Sequence, residues 1–344
     1  MGRHHQKNIV IIGAGVAGLS AACHLAESGH PPLVIDGEAF PRHRVCGQFL
    51  SSESLPLLRR WDLSPPTLIE RCVFKQADRE MILTLPEQAG SWSRYDFDQT
   101  LMKKARALGA SILTETKVEQ WKRSDKKWQL SLSNGESQRA DLLIVGAGRF
   151  ASRSFRPRYL GIKGHFSGVS LNKQLEMHLF EGGYVGISPI GPDTINVAGV
   201  ASLNTDPSTF LSCKGLEPLR ETLSQATPLF PDWLSVKIPP FGIRHPPSYP
   251  DILWIGDAAG SIPPICGKGL TLAMASGLMA AEYALSGKAN DFRRAWLKRF
   301  RSCFRFAAIL HACAMSPLLS GRVFRACQRF PRLPRYLLGR TRLQ

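Results

Sequence analysis

Gly13, Gly15 and Gly18, in the stretch NIVIIGAGVAGLSAACHLAESGH, have the spacing needed to seat a pyrophosphate. The first glycine permits a tight turn, the second lets the backbone approach the diphosphate, and the third lets a helix pack on a strand. The N-terminus of that helix offers free N–H groups and a partial positive charge. Asp36 closes the next strand pattern, PPLVID, eighteen residues past Gly18. That is close to the spacing at which a carboxylate reaches a ribose hydroxyl. Strand, helix, second strand and terminal acid in this order point to a dinucleotide, NAD or FAD.

The other end of the chain separates the two. DILWIGDAAGSIPPICGKGLTLAMASGLMAAEYAL reads as a strand, a Gly256-Asp257 turn, a proline-rich link and a helix of small residues. Asp257 at a strand end is placed to accept a hydrogen bond from a sugar-like hydroxyl. Gly267 and Gly269 open the helix and allow a ring to approach its backbone N–H groups. A nicotinamide dehydrogenase needs no such second element, whereas a flavin's ribityl chain and ring extend well beyond the pyrophosphate. The expected cofactor is therefore FAD, held non-covalently.

Over residues 8–285 the chain resembles the FAD-dependent oxidoreductases of the geranylgeranyl reductase and aromatic-ring hydroxylase type. The resemblance implies that Gly13, Gly15, Gly18 and Asp36 hold the ADP half. It gives Asp257 the ribityl and pyrophosphate portion, and sets Gly267 to Leu270 along the pyrimidine edge of the flavin. SRYDFDQTL is similar to a family segment that would put Arg94 near the cofactor and make Asp98 its helix partner. TKVEQW is similar to the strand whose backbone, at Val118, meets adenine. In the reductases a basic segment ending in Cys-Gly follows the ribose-binding acid, as FPRHRVCGQFL does here. Arg44 would then meet the pyrophosphate, since a guanidinium suits phosphate oxygens, and Gly47 would admit the flavin closely. Cys46 would sit near the ring, where a neighbouring cation favours a thiolate and the thiol can donate a proton to substrate; the alternative is a packing cysteine. Lys268, where the relatives carry a small or polar residue, is a second catalytic candidate, placed to stabilise the anionic reduced ring. FEGGYVGISPIGPDTINVAGV resembles the reductases' substrate wall, with Tyr184 and Pro189 matching and Gly186 standing where that family usually has Trp.

The elements that must position these residues describe an α/β fold. It comprises a Rossmann-type FAD-binding domain with a parallel sheet, a smaller antiparallel-sheet substrate domain and a helical basic C-terminal tail. The expected division is 1–150 for the first part of the FAD-binding domain, 151–245 for the β-rich substrate cavity, 246–290 for the return segment and 291–344 for the tail. Gly146-x-Gly148-x-x-Ala151 matches a second dinucleotide pattern. A proline and no apolar helical face follow it, so it reads instead as a parallel strand of the first domain.

The chain of 344 residues carries a formal charge of +17, and 13 Lys or Arg against one acid lie between Asp291 and Gln344. Arginines there alternate with Phe, Trp, Leu and Ile at near-helical spacing, which suits an interfacial helix on an anionic membrane. No nucleic-acid reading motif accompanies the charge, so no nucleic-acid partner is expected. Eight cysteines without a C-x-x-C pair argue against a zinc site or disulfide framework, and no metal is expected. The N-terminus leaves no room for a cleavable signal, and the expected location is cytoplasmic, with the basic tail giving a peripheral contact at the cytoplasmic membrane face.

The expected activity is hydride transfer from reduced flavin to a conjugated double bond of a lipophilic isoprenoid, lipid or polyketide-like substrate. An external donor, NAD(P)H, would recharge the flavin. The alternatives are a monooxygenase that hydroxylates an aromatic or polyketide ring, and a flavin-binding protein without catalysis. Halogenation is disfavoured because the sequence has no W-x-W-x-I-P segment.

Overall fold

Apolar runs become the central strands of a parallel sheet. In a computed structural model describing residues 7–149 and 156–343, the order is Ile252–Trp254, Leu142–Val145, Ile9–Ile12, Leu33–Ile35 and Ser111–Leu113. All four pairings are parallel. By chain position the order is 5-4-1-2-3, so it reverses between Ile9–Ile12 and Leu142–Val145. Ligands of open α/β sheets bind beyond the carboxyl ends of strands at such a reversal. Gly146 follows a strand of this same sheet, as the failed helical context after it predicted; Ala151 lies outside the described residues.

The helices are α1 (Val16–Glu27), α2 (Ser54–Arg59), α3 (Arg94–Ala107), α4 (Glu217–Ser224), α5 (Gly269–Leu285), α6 (Phe292–Met315), α7 (Pro317–Arg329) and α8 (Arg332–Arg340). Small residues let α1 and α5 touch along their backbones: a Cβ at Gly277 would overlap the Ala17 carbonyl oxygen. Helix α3 starts at Ser93, whose hydroxyl accepts the Tyr95 N–H, with Asp96 in its first turn and Lys104 and Arg106 in its last. These are the charges that the helix dipole favours at each end.

A second sheet has nine strands among the described residues. Tyr159–Ser167, Thr194–Ser202, Gly183–Pro189 and Gln174–Phe180 pair antiparallel in that order. Gln174–Phe180 then runs parallel to Thr67–Gln76, which pairs with Arg79–Ser91. The strands Phe49–Leu50, Thr67–Gln76 and Arg79–Ser91 make this sheet larger than the 151–245 segment alone would build. One face, with Ile162, Val185, Ile187, Ile195 and Val197, packs beneath α4. The other carries Tyr184 and Met177 toward α6 and α7.

The basic C-terminal segment is not a free tail. Phe292, Trp296, Phe300, Phe304 and Ala307, about one turn apart on α6, are buried in the core shared with α1 and α5. A Cβ at Gly260 would strike the Phe304 and Trp296 rings. The chain turns by 109° between α6 and α7, and among the described residues no single helix is long and apolar enough to cross a membrane. All eight cysteines are free thiols.

Candidate functional site

The glycines of the first motif have different tasks. A Cβ on Gly13 would lie 2.5 Å from the Gly146 carbonyl oxygen, and one on Gly18 would overlap the Gly13 carbonyl oxygen. Gly15, by contrast, meets nothing within 4 Å, and neither do Gly47 and Gly269. These three border open space from three separate parts of the chain. Gly15 caps α1 and Lys268 caps α5, and neither helix start has a side-chain cap bond. Two sets of unsatisfied helix N–H groups are therefore held side by side by the α1–α5 contact. Gly256 adjoins them, with φ of +54° and its N–H donated to the Ser276 hydroxyl of α5. Asp257 in this turn pairs with Arg149 at 3.3 Å. A group with a diphosphate and a flat ring fits this cradle, and FAD has that shape. Gly15→Val is expected to fold and to purify without flavin, checked by far-UV circular dichroism and visible absorbance.

Asp36 stands at the end of Leu33–Ile35 and accepts N–H bonds from Ala14 (2.7 Å) and Glu38 (3.0 Å). Arg42 adds a two-pronged contact at 2.6 and 2.9 Å. Burial raises the carboxyl pKa, but Arg42 and the two N–H groups outweigh it and hold the acid below its usual range. A ribose hydroxyl must share a carboxylate that Arg42 already occupies. Arg42 was missed in the sequence, where Arg44 took the basic role; Arg44 is more exposed and pairs with Glu38 at 3.2 Å. Val118 begins a three-stranded sheet beside this point, because Thr116 N–H bonds the Asp36 carbonyl and Lys117 packs on Gly37.

The segment after Arg42 is strapped across the large sheet. Asn196 donates to the Cys46 carbonyl at 3.2 Å and Ser188 to the Gly47 carbonyl at 2.9 Å. Cys46 is half-buried, and its sulfur accepts the Gln48 N–H at 3.4 Å. Arg94, whose charge interacts with that sulfur, grips the fully buried Asp98 through bonds of 2.6 and 2.5 Å. Arg94 and Asp98 thus form the helix pair that the resemblance of SRYDFDQTL implied. Two buried groups that sequence reasoning missed complete the cluster, Lys163 and His165 on Tyr159–Ser167. Burial pushes Lys163 down to about 8, with the Cys46 charge acting to raise it and Arg94 to lower it. Burial, Lys163 and His43 together push His165 down to about 3.

Other predicted residues lie apart. Lys268 is buried, and its ammonium is committed to Glu53 of the α2 cap; Glu53 also accepts the Leu343 N–H at 2.8 Å. The expectation of a cation free to face the flavin is corrected: the half-buried Glu53 carboxylate takes its charge. Gly267 has φ of +64°, and the Phe49 ring lies where its Cβ would stand, while Leu270 is buried in the first turn of α5. Tyr184 faces α6, sharing a 3.1 Å hydrogen bond with His311 Nδ1. Gly186 is on the same face with Met177 nearest, and Pro189 ends the strand.

Burial, with Arg158 adding repulsion, pushes His311 down to about 4 from 6.5. The unfolded chain therefore binds a proton that the folded chain refuses between these values, so this contribution to stability falls as pH drops from 6.5 toward 4. Replacing His311 by Phe is expected to flatten that part of the pH dependence, read from urea melts at pH 7 and pH 5.

A model of the NAD(P)-binding Rossmann-like domain matches residues 11–59. Menaquinone reductase of Mycolicibacterium smegmatis is 26% identical over 330 residues, covering 84% of this chain and 79% of the relative. Digeranylgeranylglycerophospholipid reductase of Methanocaldococcus jannaschii is 26% identical over 328 residues, covering 85% and 81%. Among solved structures, a flavin-dependent brominase superposes with a TM-score of 0.81 at 20% identity, covering 98% of this chain and 94% of that one. A geranylgeranyl bacteriochlorophyll reductase-like protein from Thermoplasma acidophilum gives 0.73 at 20%, covering 90% and 86%. The chain is thus similar along most of its length to named reductases and shares its fold with flavin-dependent enzymes, as its glycine and Gly-Asp motifs implied.

Proposed function

We propose that this protein is an FAD-dependent reductase that saturates a conjugated double bond in a lipophilic quinone or isoprenoid substrate. The observation that carries this reading is an apolar cavity of about 140 Å³ between the large sheet and helices α6 to α8. Phe74, Met81 and Leu83 line it from the sheet, Phe324 and Leu337 from the helices, and Ile265 and Cys266 from the turn just before Gly267. That turn joins the cavity to the cofactor cradle. Such a wall binds by excluding water from apolar surface, the requirement shared by the substrates in the relatives' names, menaquinone and a digeranylgeranyl lipid.

The chemistry that bound FAD would supply here is hydride transfer, with NAD(P)H as the external donor. Gly15, Gly269 and the two helix N-termini would hold its diphosphate and ring edge, Asp36 its ribose, and Asp257 its ribityl side. Arg94 fixes the Cys46 loop, and Cys46 gives the proton that balances the hydride. Tyr184, Gly186 and Pro189 lie on the strand paired with Gln174–Phe180, whose Leu179 lines the cavity. The test is a single turnover: reduced protein is mixed with menaquinone or a geranylgeranyl lipid and the product is weighed by mass spectrometry. A gain of two hydrogens supports the reading; incorporation of an oxygen atom would assign a hydroxylase instead.

Helix α7 favours membrane docking as the route of substrate entry. It turns Phe324 and Cys327 toward the cavity and exposes Arg322, Arg325 and Arg329, while Leu318 at its start is 76% exposed. Arginine with exposed leucine suits an anionic lipid surface. Because α6 is part of the core, truncation is the wrong test. Reversing Arg322, Arg325 and Arg329 to Glu is expected to abolish low-salt binding to phosphatidylglycerol vesicles. Wild-type protein that ignores such vesicles would overturn this part.

A further inference from the structure

Lys163 is fully buried, and among the described residues no carboxylate lies within ion-pairing distance of it. The acid whose charge acts on it, Asp98, is engaged by Arg94 through both oxygens. Its neutral partner is Gln48, whose amide oxygen, turned to the cluster, accepts from Lys163 Nζ at 2.7 Å and from Arg94 N–H and His165 Nε2 at 3.3 Å. A buried ammonium held only by an amide is costly unless an anion stands near. The titratable and charged groups around it are Arg94 and Asp98 on α3, His165 on its own strand, His43 beside His165, and Cys46 on the strapped loop. Arg94 and Asp98 cancel, and both histidines are shifted toward the neutral form by burial first and Lys163 second. Among these described groups the Cys46 sulfur, which accepts the Gln48 N–H at 3.4 Å, is left to take up the charge.

We infer that Lys163 is the proton partner of Cys46, a positioning residue that holds the thiolate when it forms and returns a proton to it. This rests on the reading of Cys46 as proton donor. When Cys46 protonates the substrate carbon, a C–H bond forms, the S–H bond breaks and the electron pair stays on sulfur. The Lys163 ammonium then gives one proton to that sulfur and becomes a neutral amine, which regains its proton from water. No electron changes hands in either step. Lys163, burial-shifted to about 8, has a proton affinity that lets it act both ways near neutral pH.

The experiment uses flavin-loaded protein in which Cys213 and Cys313, the other half-buried thiols, are changed to Ser. Iodoacetamide labelling of the Cys46 peptide is followed at pH 7 by mass spectrometry. Lys163→Met, which replaces a buried charge with an apolar chain of similar length, is expected to slow labelling by roughly tenfold or more. Lys163→Gln serves if the Met variant does not fold, because it also removes the charge. In turnover, Lys163→Met is expected to slow substrate reduction in the Cys46 parent and to add nothing in a Cys46→Ala background. Labelling within twofold of the parent in a folded variant overturns the inference. An unchanged substrate half-reaction in Cys46→Ala overturns the donor role of Cys46, while the labelling comparison still decides whether Lys163 governs its thiolate.

Discussion

Cys46→Ala is expected to keep its flavin and its rate of reduction by NAD(P)H, and to lose roughly 10²–10⁴-fold in the rate at which substrate reoxidises the flavin, the usual range for a positioned acid. The split between the two half-reactions is the diagnostic. The Cys46 loop is held by its carbonyls, which Asn196 and Ser188 grip whatever the side chain is, so the loop should keep its path. The thiol is half-buried, and its removal should cost about 1 kcal/mol of stability through the small volume lost. Cys46→Ser, a weaker acid that can still bond the Gln48 N–H, should fall between wild type and Ala. Stopped-flow traces of the two half-reactions are the measurement; equal slowing of both would point to a displaced cofactor.

Lys268→Met is expected to destabilise the fold by about 1–3 kcal/mol, below the range for a fully buried ion pair because Glu53 is only half-buried. It leaves Glu53 with the Leu343 N–H and the Ser51 hydroxyl but no cation. The double change Lys268→Met with Glu53→Gln removes both charges and should recover most of the loss, because no unpaired charge remains. Urea unfolding of the single and double variants checks this. Had Lys268 faced the flavin, the single change would instead lower the reduction potential and leave unfolding nearly untouched.

What the sequence revealed and what it hid divide along a physical line. Gly13, Gly18 and the strand Ile9–Ile12 are legible because their constraint is local: turn, helix and strand lie within one run of chain. Arg94 with Asp98 is legible through the family-like segment SRYDFDQTL, and the two stand one helical turn apart. Lys268 and Glu53 are 215 residues apart and meet only through the packing of α2 on α5, which no window of sequence records. Lys163 was hidden differently. Its strand is buried on both faces, so the alternation that exposes an inward polar group is missing. The signal available was a lysine and a histidine inside the glycine-rich strand YLGIKGHFS, with no turn to explain them. The charge of residues 291–344 was real, but its count concealed a face of aromatics spaced for a core.

The reversed strand order sets a schedule for making the molecule. The first 150 residues bring Gly13, Gly15, Gly18 and Asp36, yet the edge beside Leu142–Val145 stays bare until Ile252–Trp254 arrives, and α5 is synthesised after that. A nascent chain shorter than about Leu285 therefore lacks one of the two helix ends that would grip a diphosphate. The helices that shut the apolar chamber, α6 to α8, follow α5 in the chain. Cofactor capture is then a late event on the ribosome, and an interrupted chain would leave it as a colourless, open-edged fragment with apolar strands uncovered, the form that chaperones and proteases are suited to recognise.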